Sequence, residues 1–242
     1  MTDPQRTTAT HKPRPLIDLL VSILLPSLIL MKLSGEQYLG PVDALLLALA
    51  FPLVWGTFEL IKYRKFNFIA LLGLVSVLLT GGIGLLQLDT QWLAVKEAAI
   101  PGLIGLVVLA STRTRYPLIR TLVFNESILN IEKIQQQLAQ KGNTALFDRR
   151  LLSATYWLSG TFFFSAGMNY GLAKWIVSSP AGSAAFNEEL GRLTLVSYPM
   201  IAIPSMLMMM GIFYWLWRTL HGLTGLALED VLDQLAVARP EA

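Results

Sequence analysis

The chain has 242 residues, 54% of them hydrophobic and only 14% charged, where an average soluble domain is about 25% charged. So little charge cannot cover the surface of a soluble domain this long, and mean hydropathy is +0.55. Cysteine is absent and the two histidines are His11 and His221, which excludes disulfide scaffolds, thiol nucleophiles, Fe–S clusters and Cys-bound zinc and leaves no histidine-rich metal set.

Residues 1–14 are polar and proline-bearing, which predicts a disordered tail. Six hydrophobic stretches follow, each near the ~20 residues that cross a bilayer as a helix. They run Leu16–Leu33, Val42–Ile61, Phe68–Leu86, Trp92–Ser111, Leu151–Val177 and Leu193–Trp217. No small-residue cleavage site follows a short apolar core, so the first stretch reads as a retained anchor. Trp92, Tyr116, Tyr156, Trp157, Trp175, Trp215 and Trp217 crowd the ends of these stretches, as an interfacial belt does.

Most of the 19 Lys and Arg fall on one side of this alternation. The tail carries Arg6, Lys12 and Arg14, and the loop after the second span carries Lys62, Arg64 and Lys65. Arg113, Arg115, Arg120, Lys133, Lys141, Arg149 and Arg150 follow the fourth span, and Arg218 and Arg239 the sixth. The positive-inside rule then predicts an all-α, multi-pass membrane protein with six transmembrane helices and both termini in the cytoplasm. The net charge of +3 is thereby topological, directed at an anionic leaflet, and no nucleic acid is implied.

The organisation expected is a tail at 1–14, helices 1–4 over 15–111, a cytoplasmic loop over 112–150, helices 5–6 over 151–217 and a C-terminal segment over 218–242. In the loop, Ile128, Ile131, Ile134 and Leu138 recur at helical spacing, with Asn125 as a start cap and Gly142 as a stop. This amphipathic helix lies on the inner leaflet or packs on the bundle. In the tail, Leu228, Val231, Leu232 and Leu235 oppose Glu229, Asp230 and Asp233, an acidic face that favours packing on protein. Both helices also suit partner docking.

Pro26, Pro52, Pro101 and Pro204 lie within or just past the start of four spans and predict kinks. Leu25-Pro26-Ser27-Leu28, Ile100-Pro101-Gly102-Leu103 and Ile203-Pro204-Ser205-Met206 are alike. With the first and fourth spans crossing in opposite directions, this suits a 3+3 inverted repeat, a device of transporters. The third span has Ser76, Thr80 and Gly84 at spacing four, plus Gly81 and Gly82, and the fifth has Gly167 and Gly171 in a GxxxG. Both faces are expected as seams between helices of the same chain, with a homo-oligomer as the other use.

Ionisable residues inside spans are costly and mark candidate polar sites. Asp18 and Glu59 lie near the inner face; Asp43, Lys96 and Glu97 lie near the outer face, where Lys32 ends the first span. Asp43, just after Pro41, also suits a helix cap, while Lys32 and Glu59 reach the interface by snorkelling. No carboxylate falls at mid-bilayer, which weighs against a proton relay. Met206, Met208, Met209 and Met210 have no His or Cys to help bind copper, and no P-loop, HExxH, GxSxG or dinucleotide fingerprint occurs. The expectation is a protein with no enzymatic role, cofactor or metal.

Tyr63-Arg64-Lys65-Phe66 leads into a third span ending Thr80-Gly81-Gly82, and Lys96 opens an apolar run to Leu109-Ala110-Ser111. Tyr116-Pro117-Leu118-Ile119-Arg120 follows, and Gly167-Met168-Asn169-Tyr170 marks the fifth span. In order and spacing, from Leu16 to Trp217, these resemble the bacterial septation protein A family of inner membrane-spanning, cell-envelope proteins, or a related branch of uncharacterised polytopic membrane proteins. The longer loop, the extended C-terminal helix, Asp43 and Pro101 depart from the family pattern. The resemblance implies a protein of the bacterial inner (cytoplasmic) membrane with a role in envelope growth or division and makes Lys96, Arg64, Lys65, Pro117 and Arg120 the positions to test. Two functions follow: an envelope protein acting through contacts with envelope-synthesis or division proteins, or a transporter of a small solute or lipid moiety.

Overall fold

A computed structural model of the chain describes residues 20–63, 68–114, 118–123 and 129–231. Among these every regular element is helical and no strand occurs. A π-helical turn, Leu20–Leu24, leads into α1 (Leu25–Leu33), followed by α2 (Gly40–Tyr63), α3 (Phe68–Leu85) and α4 (Gln91–Ser111). Next come the short α5 (Leu118–Val123), α6 (Ile131–Gln140) and the long α7 (Thr144–Ile176), which carries most of the fifth apolar stretch. Helix α8 (Ala184–Ser197) then runs through a second π-helical turn, Tyr198–Ala202, into α9 (Ile203–Thr224), and α10 (Leu228–Val231) ends the described chain.

Two of these helices, not six, are long and apolar enough to cross a membrane among the described residues: Gln91–Ser111 and the continuous run Ala184–Thr224. The shortfall follows in part from which residues are described. Described apolar segments of α2 and α3 cover only Gly40–Val54 and Val75–Leu85, and α1 is described only from its π-helical turn onward. The long α7 is diluted by Ser153, Thr155, Tyr156, Trp157, Ser159, Thr161 and Ser165. Each of the six predicted stretches nonetheless coincides with helix where it is described, apart from the final residues Leu86 and Val177.

Element boundaries differ from the predicted ones because helices end at backbone signals, not where hydropathy falls. The last long helix begins at Ala184, where the Ser183 hydroxyl accepts from the Phe186 N–H at 3.1 Å, and not at Leu193. It runs past Trp217 to Thr224 and stops at Gly225, left-handed at φ 71°. Helix α6 begins at Ile131 with Asn130 as its cap, its side chain accepting from the Lys133 N–H at 3.0 Å; Asn125 lies outside the described residues. Gly142, at φ 65°, ends it as expected.

The helices fall into two compact units. The first comprises Met1–Thr90 and Ile176–Leu195; the second comprises Gln91–Trp175 and Val196–Ala242.

The first unit is closed by backbone proximity. A Cβ on Gly81 or Gly84 of α3 would lie 2.6 Å from Leu49 or Leu45 of α2. On Gly191 of α8 it would lie 2.7 Å from the Ser27 carbonyl oxygen of α1. Asn187, one turn before Gly191, is fully buried and donates to Ser34 Oγ at 3.1 Å and to the Pro41 carbonyl at 2.6 Å, tying α8 to the end of α1 and the start of α2. The predicted α3 seam is therefore real for Gly81 and Gly84, whereas Gly82 meets nothing.

The second unit is closed mainly by bulk. Val108, Ile119, Ile134, Leu138, Phe147, Leu151, Leu158, Ile212, Leu216 and Leu220 form one buried cluster. Helix α4 approaches α7 at Gly105, whose added Cβ would lie 3.2 Å from Phe162, and Ser159 Oγ donates to the Gly105 carbonyl at 2.9 Å. The GxxxG of α7 is not a seam. Gly167 and Gly171 are exposed, and an added Cβ on either meets nothing within 4 Å. The close approach of α7 is made through Ser159 and Phe162 instead.

The prolines divide two and two. Pro26 and Pro204 each follow a π-helical turn by two residues (Leu20–Leu24 and Tyr198–Ala202). A proline removes one backbone donor and its ring presses on the carbonyl four residues back, here in the widened turn. Pro52 and Pro101 instead lie inside unbroken α-helix. Pro26 and Pro204 thus share a local backbone geometry that Pro52 and Pro101 do not.

Candidate functional site

Three features of the second unit concentrate its polar chemistry. The first is on α4, where Lys96 is buried and its ammonium contacts Glu97 Oε1 at 2.6 Å. Burying one partner alone would leave an uncompensated charge, so the pair is a unit. Lys32 and Asp43 belong to the other unit and are exposed. Lys32 lies in the last turn of α1 and Asp43 in the first turn of α2, each where the helix dipole favours its charge. Glu59 lies on α2, and Asp18, Arg64, Lys65 and Pro117 lie outside the described residues. Arg120, on α5, reaches Asp148 of α7 at 3.7 Å with both side chains well exposed.

The second feature is a polar-faced cap at one end of the unit. Ile134 and Leu138 of α6 and Val231 of α10 are buried in the unit's own core, so α6 packs on protein. Its other faces carry exposed Glu132, Gln135, Gln136 and Gln140. Lys133 Nζ joins Asp230 Oδ1 at 2.8 Å, and the Asn130 N–H donates to the Val231 carbonyl at 2.9 Å. That contact with Lys133 holds the Asp230 carboxyl below its ordinary value, with the Ala227 N–H assisting. Lys141 Nζ donates to the Thr224 carbonyl at 2.7 Å and Asn143 Nδ2 to the Leu223 carbonyl at 2.9 Å. Together they satisfy carbonyls that the C-terminus of α9 leaves open, a place where a cation is also favoured.

The third feature is a groove of about 340 Å3 between α7 and α9, lined by Thr161, Phe162 and Ser165 on one side and Ser205, Met206, Met209, Met210 and Phe213 on the other. Ser205 Oγ is buried there with no hydrogen-bond partner. Three methionines and two phenylalanines make this lining mostly apolar, and Met206, Met208 and Met210 of the methionine run are exposed. Among the described residues no group of three or more His, Asp or Glu is placed to hold a metal.

Several of these residues carry no sequence signal beyond their type. Lys141 and Asn143 look like ordinary loop residues, and their role appears only when the chain returns to them some eighty positions later. Asn187 does carry one, standing four residues before Gly191, so that a polar and a small residue share one helix face.

No known protein family matches the chain, and no curated protein or solved structure matches it either.

Proposed function

We propose that this is an integral protein of a bacterial cytoplasmic membrane that crosses six times with both ends inside. Its role is non-enzymatic, holding partners in envelope maintenance or division in the manner its resemblance to the septation protein A family implies. The observation that carries this reading is the cap. Helix α6 spends its apolar face on the chain's own core, which leaves a fixed polar surface of Glu132, Gln135, Gln136 and Gln140 that offers lipid nothing and suits protein contact. Insertion is supported by the large apolar side chains exposed along the two candidate spans, among them Trp92, Leu103 and Val107 on α4 and Met206, Leu207 and Tyr214 on α9.

Photo-crosslinking from Gln136 in cells, followed by identification of what is captured, tests it. Envelope-synthesis or division proteins are expected, and they should disappear when Glu132 and Gln140 are changed to Lys. Recovery of the chain alone would overturn the reading in favour of transport of a small solute or lipid moiety. That second reading draws on the widened turns before Pro26 and Pro204 and on the groove at Ser205. Lys96→Ala, with insertion intact, should then abolish flux if the Lys96–Glu97 pair serves the transported species.

A further inference from the structure

Helices α7 and α9 run antiparallel. Asn143, just before α7, bonds to Leu223 near the end of α9, and deeper along both helices Trp157 meets Trp215 with ring centroids 4.7 Å apart. Arg150 on α7 and Arg218 on α9 therefore lie toward the same end of the pair. The Arg150 guanidinium carbon stands 5.7 Å from the centre of the Trp215 ring. Arg218 follows Trp215 by one turn, about 5 Å along the axis. Both arginines are exposed, as are Tyr156, Trp157 and Tyr214 beside them. Among the described residues no carboxylate pairs with Arg149, Arg150 or Arg218; Asp148, adjacent in sequence, contacts Arg120 instead.

We propose that Arg150 and Arg218, set above the Trp157–Trp215 pair, form a binding site for the phosphodiester headgroup of an acidic glycerophospholipid. A guanidinium held over the Trp215 ring spends its charge on the π face, and its N–H fork remains the group that grips a phosphate oxygen pair. Indole rings favour the level of the headgroups, and they fix the depth at which the two cations meet the phosphate. The complementary charge is that of the anionic cytoplasmic leaflet, whose attraction acts on each basic residue near the surface. This inference rests on the membrane reading above.

The test uses the full chain in nanodiscs of equal phosphatidylglycerol and phosphatidylcholine, with native mass spectrometry counting the lipids that stay bound. Wild type should retain phosphatidylglycerol in preference, by about fivefold for each arginine engaged. Arg150→Gln with Arg218→Gln should bring retention to the phosphatidylcholine level, while Lys174→Gln, exposed elsewhere on α7, should not. As a check that does not depend on variant folding, brominated phosphatidylglycerol should quench wild-type tryptophan fluorescence more than brominated phosphatidylcholine, and less so in high salt. Equal retention of the two lipids by wild type, or unchanged preference in the double variant, overturns the site. Displacement of the lipid by millimolar inorganic phosphate overturns it in favour of a simple anion site. A chain that fails to enter nanodiscs and is washed from membranes by carbonate overturns the membrane reading itself, a result distinct from insertion without lipid preference.

Discussion

The two units solve the same packing problem by opposite means. In the first, small residues take neighbours so closely that another carbon has no free place: Gly191 against the Ser27 carbonyl oxygen, and Gly81 and Gly84 against the side chains of Leu49 and Leu45. In the second, large side chains such as Leu158, fully buried, fill the space between α4, α7 and α9, and polar clasps hold the ends. One unit should therefore be intolerant of added atoms and the other of removed ones. Within a bilayer this difference matters more than in water, because lipid is as apolar as leucine and close contact must supply the association.

The largest effect should come from removing atoms. Leu158→Ala leaves a cavity in the second unit's core and is expected to cost about 2–5 kcal/mol, measured by denaturant unfolding in detergent micelles. Next comes addition in the first unit. Gly191→Ala places a methyl against a backbone oxygen that cannot rotate away, and about 1–3 kcal/mol should be lost. If Gly191→Ala were silent while Leu158→Ala was not, α8 would not be held to α1 in the way described.

A third change tests the contrast from its exception. Gly167→Ala on α7 meets open space, so its packing effect should be close to nothing and its helix propensity should yield up to about 1 kcal/mol of stabilisation. A marked loss instead, or a fall in particle mass by light scattering, would mean that a second copy of the chain occupies that face.

What was legible in the sequence follows from these contacts. Apolar stretches of the right length gave the helices, because hydropathy over some twenty residues is a property of the segment alone. Gly142 gave the end of α6 for the same local reason, since a left-handed backbone suits glycine. Whether a small-residue face is a seam was not legible, as Gly84 and Gly167 have the same kind of spacing and opposite surroundings. Nor was the pairing of polar residues across units of chain length: Lys96 with Glu97 is local, but Lys141 with Thr224 and Lys133 with Asp230 depend on how α9 returns. Nor was the difference among three similar proline motifs legible, because a four-residue match says nothing about whether the turn before it widens, as it does at Pro26 and Pro204 but not at Pro101.

The smallest effect concerns the clasp between α6 and α10. The Lys133 ammonium lowers the folded Asp230 carboxyl, so this interaction is fully present above the ordinary aspartate pKa of about 3.9 and is lost as pH falls through the lower folded value. Its two side chains are nearly half exposed, so it acts through solvent and salt weakens it. Acidification below about pH 4, or Asp230→Asn at neutral pH, should leave the unfolding midpoint almost unmoved. The local readout is the Asn130 amide, which donates to the Val231 carbonyl and should lose protection, relative to its intrinsic exchange rate at the same pH, once the neighbouring ion pair is gone. Exchange that ignored both treatments would show that burial of Val231 alone holds α10 in place, and that the second unit relies on bulk at its ends as it does in its core.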